Sequence, residues 1–391
     1  MNNKVKDRER LQEGILQIKQ EMGNRLFIPA HHYQRPEIVE LADIVGDSYK
    51  LSVDVSKTDA DYIVFCGVRF MAEGAAILGK PHQTILIPEP SAVCPMAEMI
   101  TAEQAEDALA KLQSVSSHTV IPIVYMNAHA DMKAFCGRHG GAVCTSSNAE
   151  KILNYYFKQD AAVFFFPDQH LGINTARTMG LLPKEIMKLL SDYTLVPAVE
   201  DINTSSSTGI REEATGRPED DKYTKIYVWD GFCPVHQRFS KKHITNLRSR
   251  YPGITIIVHP EVDKSVAIAS DITGSTQQIY QIVKDAKPNT SWGIGTEYNF
   301  VKRIANEFKY QNKTIVPLEK NICENMDKTT LSSLFDTLKE VQKIERERTQ
   351  QADTSCKDTG AERQREVVIP KGIRADAKIA LSKMITIVEG V

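Results

Sequence analysis

The sequence predicts an α/β protein built from three similar three-layer α/β/α domains with short parallel sheets, arranged with pseudo-threefold symmetry around a central active site. Two observations predict this fold. Short apolar runs of strand length alternate along the chain with segments of helical periodicity, which is the order expected of parallel sheets. Polar residues that follow these runs also recur at matched spacings in three stretches of the chain, as expected for a repeated unit.

The matched spacings join a polar residue after the first apolar run of each repeat to a hydroxyl residue before a later helix. Because ligands bind beyond the carboxyl ends of parallel strands, such residues are expected to line a pocket. The pairs are separated by 17, 19 and 17 residues, in the order His31 and Ser48, Asn127 and Ser146, His259 and Thr276.

A cysteine follows the last apolar run of each repeat. Cys94 lies 63 residues after His31, and Cys323 lies 64 residues after His259. The middle interval, from Asn127 to Cys233, is 106 residues, and the excess predicts an insertion at about 171–223 with a flexible polar part at 203–221.

These spacings divide the chain into five parts. An amphipathic helix is predicted at the amino terminus, and helices joined by a polar connector are predicted at the carboxyl terminus. The predicted parts are the helix 1–25, the repeats 26–115, 116–245 and 246–330, and the C-terminal helices 331–391 with the connector 349–366. Within them we expect helices at 5–24, 36–44, 330–348 and 374–388.

Composition and charge exclude several classes of protein. The 391 residues carry a net charge of −2, which provides no basic surface for nucleic acid, and no apolar run is long enough for a membrane span. The charged start of the chain lacks the apolar core of a signal peptide, so we expect a cytoplasmic protein. In a reducing compartment the seven cysteines are expected to serve metal binding or catalysis rather than disulfides.

The residue types in the predicted pocket favour an enzyme. Hydroxyls and amides near helix starts suit carboxylate and phosphate oxygens, Glu and His suit proton transfer, and three thiolates suit a soft metal or a cluster. These residues lie at predicted strand ends or helix starts. They are His31, Tyr33, Ser48, Tyr125, Asn127, Ser146, His259, Glu261 and Thr276, with the cysteines Cys94, Cys233 and Cys323.

Each residue alone also has a simpler interpretation. A single cysteine after a strand is most often a buried small residue, and no C-x-x-C pair marks a metal site. Only recurrence in three repeats separates the proposed set from the remaining cysteines. We therefore expect the other four cysteines to be inert buried residues: Cys66, Cys136, Cys144 and Cys356.

Together, several short motifs resemble the quinolinate synthase family. The resemblance extends from about residue 26 to residue 331. The motifs are Ala30-His31-His32-Tyr33-Gln34, Gly46-Asp47-Ser48, Cys66-Gly67-Val68-Arg69-Phe70-Met71-Ala72-Glu73, Cys144-Thr145-Ser146-Ser147-Asn148-Ala149, Cys233-Pro234-Val235-His236 and Val258-His259-Pro260-Glu261.

The resemblance implies a transferase of NAD biosynthesis that condenses iminoaspartate with dihydroxyacetone phosphate to quinolinate, with release of phosphate and water. It also implies a 4Fe-4S cluster that acts as a Lewis acid, and L-aspartate oxidase as a functional partner of a monomer or homodimer. The implied cluster ligands are Cys94, Cys233 and Cys323. The implied catalytic residues are His31, Tyr33, His236, His259 and Glu261, and the implied substrate-binding residues are His31, Ser48, Tyr125, Asn127, Ser146, His259, Glu261 and Thr276.

Two features depart from the family pattern. The middle insertion and the connector are longer than in compact members of the family, and His32 stands where Asn is often found.

Two other functions stay open. An iron-sulfur sensor or electron carrier would use the same cysteines without needing Glu261. A zinc-containing sugar-phosphate binding protein would add His236 as a fourth ligand.

Overall fold

The computed structural model describes residues 2–199, 223–353 and 363–390. It shows a mixed α/β protein with several short parallel sheets, which confirms the predicted fold class. No helix in these three ranges is both long enough and apolar enough to span a membrane.

The strands are short and mostly coincide with the apolar runs. Tyr62, Ile63 and Val64 are fully buried, as expected of strands covered on both faces. In chain order the strands are β1 (Leu26–Phe27), β2 (Pro29–His31), β3 (Ile44–Gly46), β4 (Tyr62–Val64), β5 (Thr84–Leu86), β6 (Val120–Tyr125), β7 (Ala142–Cys144), β8 (Ala162–Phe166), β9 (Ile186–Leu189), β10 (Leu195–Pro197), β11 (Ile226–Trp229), β12 (Thr255–Val258), β13 (Ile272–Thr273), β14 (Ser291–Gly295) and β15 (Thr314–Pro317).

Helices fill the intervals between the strands. In chain order they are α1 (Asn2–Met22), α2 (Pro36–Val39), α3 (Ser48–Lys57), α4 (Arg69–Leu78), α5 (Ala102–Val115), α6 (Ala130–Arg138), α7 (Ala149–Phe157), α8 (Gln169–Thr178), α9 (Lys241–Arg250), α10 (Lys264–Ala269), α11 (Thr276–Asp285), α12 (Tyr298–Glu307), α13 (Leu331–Asp353) and α14 (Lys371–Glu389).

The same strand order occurs in three places. The third repeat has the order β13-β12-β14-β15, and the second contains β7-β6-β8-β11. In the first, β3 pairs with β2, β1 pairs with β4, and β4 pairs with β5, which gives the same sequence of neighbours. All these pairs are parallel, so the polar residues after the first strand of each repeat lie at the carboxyl edge of a sheet.

The predicted insertion enlarges the second sheet. Its described part contains most of α8 and the strands β9 and β10, and β9 pairs in parallel with β11. β10 then pairs antiparallel with β9 at the edge of the sheet. The predicted flexible segment 203–221 lies outside the described residues.

The chain forms two compact units. The first consists of Met1–Cys94, Glu297–Arg303 and Ile322–Ile369, and the second of Pro95–Thr296, Ile304–Asn321 and Pro370–Val391. In the first unit, apolar residues of α1 such as Ile15 and Ile18 pack with Leu334 and Leu338 of α13 in one hydrophobic core. The predicted boundaries between the three repeats stay predictions.

Two predicted helices differ from the structure by more than three residues at one end. The helix expected at 36–44 is a single turn, α2, and Ile44 instead begins β3 because its backbone pairs with Pro29. Helix α13 continues to Asp353, beyond the predicted end at Arg348, and the hydroxyl of Thr349 donates to the carbonyl of Glu345 one turn earlier. The rest of the predicted connector up to residue 362 lies outside the described residues.

Candidate active site

A buried carboxylate, Glu261, lies at the centre of the polar cluster of the second unit. It follows β12 in the turn His259-Pro260-Glu261 and is 3% exposed. The phenol of Tyr125, the last residue of β6, donates to its Oε1 at 2.6 Å. The Nδ1 atom of His236 lies 2.6 Å from its Oε2. The carboxylate therefore has a partner on each oxygen, and these partners come from the ends of β6 and β11, which lie in a different sheet from the β12 strand that precedes Glu261.

The hydrogen bonds of the cluster define the tautomers of its two histidines. Nδ1 of His259 accepts from the backbone N–H of Glu261 at 3.4 Å, so a neutral ring carries its proton on Nε2, which lies 3.2 Å from the hydroxyl of Ser146. Nδ1 of His236 faces the carboxylate and therefore carries a proton. Its Nε2 lies 2.9 Å from the hydroxyl of Thr296, and its ring stacks on that of His259 with centroids 4.6 Å apart.

Burial and charge set the ionisation of this cluster. Burial lowers the pKa of His259 to about 3, so its ring is neutral near pH 7 although a carboxylate is close. Burial acts to raise the pKa of Glu261, but the adjacent His236 ring and the hydrogen bonds from His236 and Tyr125 outweigh it and lower the pKa below its usual range. The site therefore presents a buried, ionised carboxylate that can accept a proton.

A second carboxyl group, that of Asp168, is buried near Glu261. It directly follows the Phe166-Pro167 pair at the end of β8, and its Oδ1 accepts from the backbone N–H of Leu171 at the start of α8. Burial, and then the negative charge of Glu261, raise the pKa of Asp168 well above its usual range. The surroundings therefore shift the pKa values of the two carboxyl groups in opposite directions, raising that of Asp168 and lowering that of Glu261, as acid–base sites commonly do.

Cys233 joins the same cluster. Its Sγ lies 3.2 Å from Nδ1 of His236, and one ligand atom from each of Cys233, His236 and Glu261 lies within 4.8 Å of the others. Thiolate, imidazole and carboxylate are all metal ligands, so this group can hold a metal ion.

In the first unit, His31 repeats the arrangement of His259. Its Nδ1 accepts from the backbone N–H of Tyr33, two residues later, at 3.1 Å, and the two rings meet edge to face at 4.7 Å. His32, whose role the sequence left open, lies with its Nδ1 2.9 Å from the guanidinium of Arg303 and packs on Phe300. In two repeats, a histidine at or directly after a strand end thus accepts at Nδ1 from the backbone N–H two residues later.

The hydroxyl residues lie near helix starts, as the spacing predicted. Ser48 and Thr276 each occupy the first position of a helix, directly after a capping residue. Those caps are Asp47, which accepts from the N–H of Lys50, and Ser275. Ser146 instead lies in the turn before α7, where its hydroxyl reaches His259.

The cysteines separate into two groups by burial. Cys94 and Cys323 in the first unit and Cys233 in the second are partly exposed, whereas Cys66, Cys136 and Cys144 are fully buried. Burial raises the pKa of Cys66 to about 12 and raises those of Cys136 and Cys144 as well, so these three remain thiols. Cys356 lies outside the described residues.

Within each unit the structure brings together only part of the predicted site. In the second unit, direct contacts join Tyr125, Ser146, Cys233, His236, His259 and Glu261. Asn127 lies in the turn after β6 and is partly buried. In the first unit His31 and Tyr33 are in contact, and Cys323 is held by Glu297, whose Oε1 lies 3.4 Å from the Cys323 backbone nitrogen.

Sequence reasoning missed four polar residues near these groups. Asp168, Thr296 and Glu297 all follow the third strand of a repeat, so the rule about carboxyl ends of strands could have found them. Arg303 lies inside a helix and contacts His32 from far along the chain, so no local signal marks it. Burial raises the pKa of Glu297 to about 8, against hydrogen bonds from the N–H groups of Phe300 and Cys323.

Comparison with known proteins agrees with the resemblance that the motifs indicate. The family model described as Quinolinate synthetase A protein matches residues 13–386. Proteins named quinolinate synthase are 38% identical in Bacillus subtilis, over 97% of this chain and 94% of that protein, and 40% identical in Streptomyces coelicolor, over 82% and 78%. A third, from Halalkalibacterium halodurans, is 41% identical over 81% of each chain. The predicted resemblance is therefore confirmed, and the chain belongs to the quinolinate synthetase A family.

Proposed function

We propose that this protein is a quinolinate synthase. It condenses iminoaspartate with dihydroxyacetone phosphate and releases quinolinate, phosphate and water, as a step of de novo NAD biosynthesis in the cytoplasm. The observation that carries this proposal is the ionised, buried Glu261 with Tyr125, His236 and His259 around it and a cysteine beside it, in a chain of this family.

The cofactor we propose is a 4Fe-4S cluster held by Cys94, Cys233 and Cys323. The donor chemistry of the described residues fits such a group: these three thiols are partly exposed, whereas the three fully buried thiols have raised pKa values and are unsuited as ligands. With three protein thiolates, the bound cluster supplies one iron as a Lewis acid for substrate oxygen or nitrogen.

Proton transfer is assigned to Glu261. The reaction needs protons to be removed and returned during elimination of phosphate, carbonyl isomerisation, carbon–carbon bond formation and loss of water. The lowered pKa of Glu261 keeps its carboxylate ionised near pH 7, so its oxygens carry no proton before the reaction, and the phenol of Tyr125 and the Nδ1–H of His236 orient it. The neutral His259 ring donates from Nε2 toward Ser146 and does not compete for that proton.

The remaining polar residues are assigned to substrate binding. His31 and Tyr33 in the first unit, with Tyr125, Asn127 and Ser146 in the second, present hydroxyl, amide and imidazole groups that bind carboxylate oxygens. Ser48 and Thr276 lie at helix starts, where backbone N–H groups and the helix dipole favour phosphate or carboxylate. L-aspartate oxidase is proposed as the functional partner because it supplies the imine substrate.

Anaerobic purification followed by analysis of iron, sulfide and zinc, with an assay of quinolinate formation on the same sample, tests the proposal. We expect iron and sulfide in near-equal amounts and quinolinate that depends on both substrates. A zinc protein without sulfide would support the sugar-phosphate binding alternative. A cluster whose spectrum does not respond to either substrate, in a protein that forms no quinolinate, would support the sensor or electron-carrier alternative.

A further inference from the structure

The side-chain amide of Asn174, inside α8, bridges the turn that carries Glu261. Its Nδ2 donates to the carbonyl oxygen of Pro260 at 2.9 Å and to that of Val262 at 2.8 Å. The two acceptors therefore belong to the residues immediately before and after Glu261. Because a carbonyl oxygen can only accept, these contacts define which end of the amide faces the turn.

The position of Asn174 makes these two hydrogen bonds strong. The residue is 5% exposed, and within the described part of the chain its Oδ1 has no protein partner. In a buried setting, leaving a carbonyl oxygen without its donor is costly, because the group has already lost its hydrogen bonds to water. The turn is also bonded internally, because the N–H of Val262 donates to the carbonyl of His259 at 3.2 Å. Asn174 thus fixes a small closed turn to a helix.

Helix α8 is itself anchored next to the same carboxylate. Its capping residue is Asp168, whose carboxyl group is buried near Glu261, and the helix packs on β11, β8 and α10. Any shift of the turn relative to α8 would change the distance from the Glu261 carboxylate to Tyr125 and His236, both now at 2.6 Å. A displacement of about 1 Å is enough to lower a catalysed rate on the order of 100-fold.

We propose that Asn174 is a positioning residue that acts on the reaction through Glu261. This inference rests on the proposed function, in which Glu261 transfers protons. The alternative is that the amide only contributes to stability by joining a helix to a loop. The two roles differ in one respect: a positioning residue loses its effect on turnover once Glu261 can no longer transfer protons.

The sharpest variant is Asn174→Leu, which has a similar length and removes both donors. Asn174 lines an open cavity of about 130 Å³ together with Thr178 and Ser146, which is room for several waters. In Asn174→Ser, water from this cavity can therefore donate to the two carbonyls that lose the amide. This second variant is milder, because it places no apolar side chain next to them. Thr178→Val is a matched control, since Thr178 lies one turn later in α8 and its hydroxyl donates to the Asn174 carbonyl.

The test is a double-mutant cycle with Glu261→Gln on the anaerobic enzyme, with kcat, KM and iron content measured for each variant. We expect Asn174→Leu to lower kcat on the order of 10- to 100-fold with little change in KM or iron, and Asn174→Ser to lower it less. In the Glu261→Gln background, the same substitution should change kcat less than about twofold. Thr178→Val should behave as the wild type.

Equal losses of kcat in both backgrounds, or wild-type turnover of Asn174→Leu, would overturn the positioning role. Hydrogen exchange of the amides at 259–262 is measured as well, because it does not depend on activity. We expect faster exchange there in Asn174→Leu than in Thr178→Val, and unchanged exchange would also overturn the inference. A wild-type enzyme that forms no quinolinate would instead refute the proposed function, while the exchange measurement still decides whether Asn174 holds the turn.

Discussion

The phenolic hydroxyl of Tyr125 donates to Oε1 of Glu261 across 2.6 Å, and both side chains are almost completely buried. Tyr125→Phe removes this bond without changing the shape of the site. Because a hydrogen bond to a charged acceptor contributes about 1.5–3 kcal/mol, we expect kcat to fall on the order of 10-fold or more. Steady-state kinetics of quinolinate formation measures this. Tyr156→Phe is the control, since Tyr156 is also buried but donates to the carbonyl of Gly140, and a similar loss in that variant would contradict the prediction.

Glu261→Gln tests the proton transfer itself. The amide keeps the size of the side chain and can still accept from Tyr125, but it cannot take up a proton near pH 7. We expect a loss on the order of 100-fold in turnover with the cluster and substrate binding retained. Quinolinate formation and iron content are measured in the same anaerobic sample. Turnover close to that of the wild type would remove Glu261 from the mechanism.

Replacing each described cysteine with Ala tests the cluster ligands. Cys94→Ala, Cys233→Ala and Cys323→Ala should each abolish the brown chromophore and the bound iron, because three thiolates are needed to hold the cluster. Cys66→Ala, Cys136→Ala and Cys144→Ala are the controls and should retain both, since these thiols are fully buried. A normal iron and sulfide content in Cys323→Ala would show that the ligand set is wrong.

Glu297 should matter for iron retention rather than for proton transfer. Its carboxyl accepts from the backbone N–H groups of Phe300 and Cys323, and so ties a proposed ligand to the start of α12. Glu297→Gln retains an acceptor oxygen and should bind iron normally, whereas Glu297→Ala should lose iron faster to a chelator. Iron release under anaerobic conditions measures the difference. The control is Glu307→Ala in the same helix, and equal release from both Ala variants would contradict this role.

The stability of the first unit should depend on alkaline pH through Tyr62. Burial, and then a hydrogen bond from its hydroxyl to Glu345 at 2.9 Å, raise its pKa from 10.0 to about 12. Between these values the unfolded phenol loses its proton and the folded one retains it. Stability is therefore unaffected by this group below pH 10 and falls as the pH rises from 10 to 12. The difference in unfolding free energy between wild type and Tyr62→Phe, from urea titrations, should shrink over that range. A constant difference would contradict the assignment.

The sequence was most informative where the signal is local. A continuous apolar run such as that of β8 is typical of a strand buried on both faces, so the run itself predicts the strand. Because the strands pair in parallel, the polar residue that follows such a run is then expected at the carboxyl edge of the sheet. The weakest prediction was α2, where Pro36 and Glu37 are good starting residues but the helix ends after one turn. Pairing of Ile44 with Pro29 is a long-range contact, and it outweighs the local helical pattern.

The candidate site was likewise predictable where its residues lie at strand ends, and not where they act from within helices. Tyr125 ends β6, and His259 and Glu261 follow β12, so the rule about the carboxyl ends of parallel strands marked all three as candidates, although the two strands lie in different sheets. Asn174 and Arg303 could not be found in this way, because each acts from within a helix on a turn or a ring far away in sequence. Their partners depend on how the helices pack, and the residue type at a single position does not indicate which helices pack together.

The binding of Nδ1 by the backbone at His31 and His259 makes each of these rings a one-sided proton donor. A neutral ring that accepts an N–H at Nδ1 has only Nε2 from which to give a proton, and it cannot pass a proton from one nitrogen to the other unless the turn opens. His236 differs, because its Nδ1 lies 2.6 Å from the Glu261 carboxylate, against 3.5 Å for Nδ1 of His259, and its Nε2 faces the hydroxyl of Thr296. Among these three histidines, His236 is therefore the ring through which a proton can be relayed.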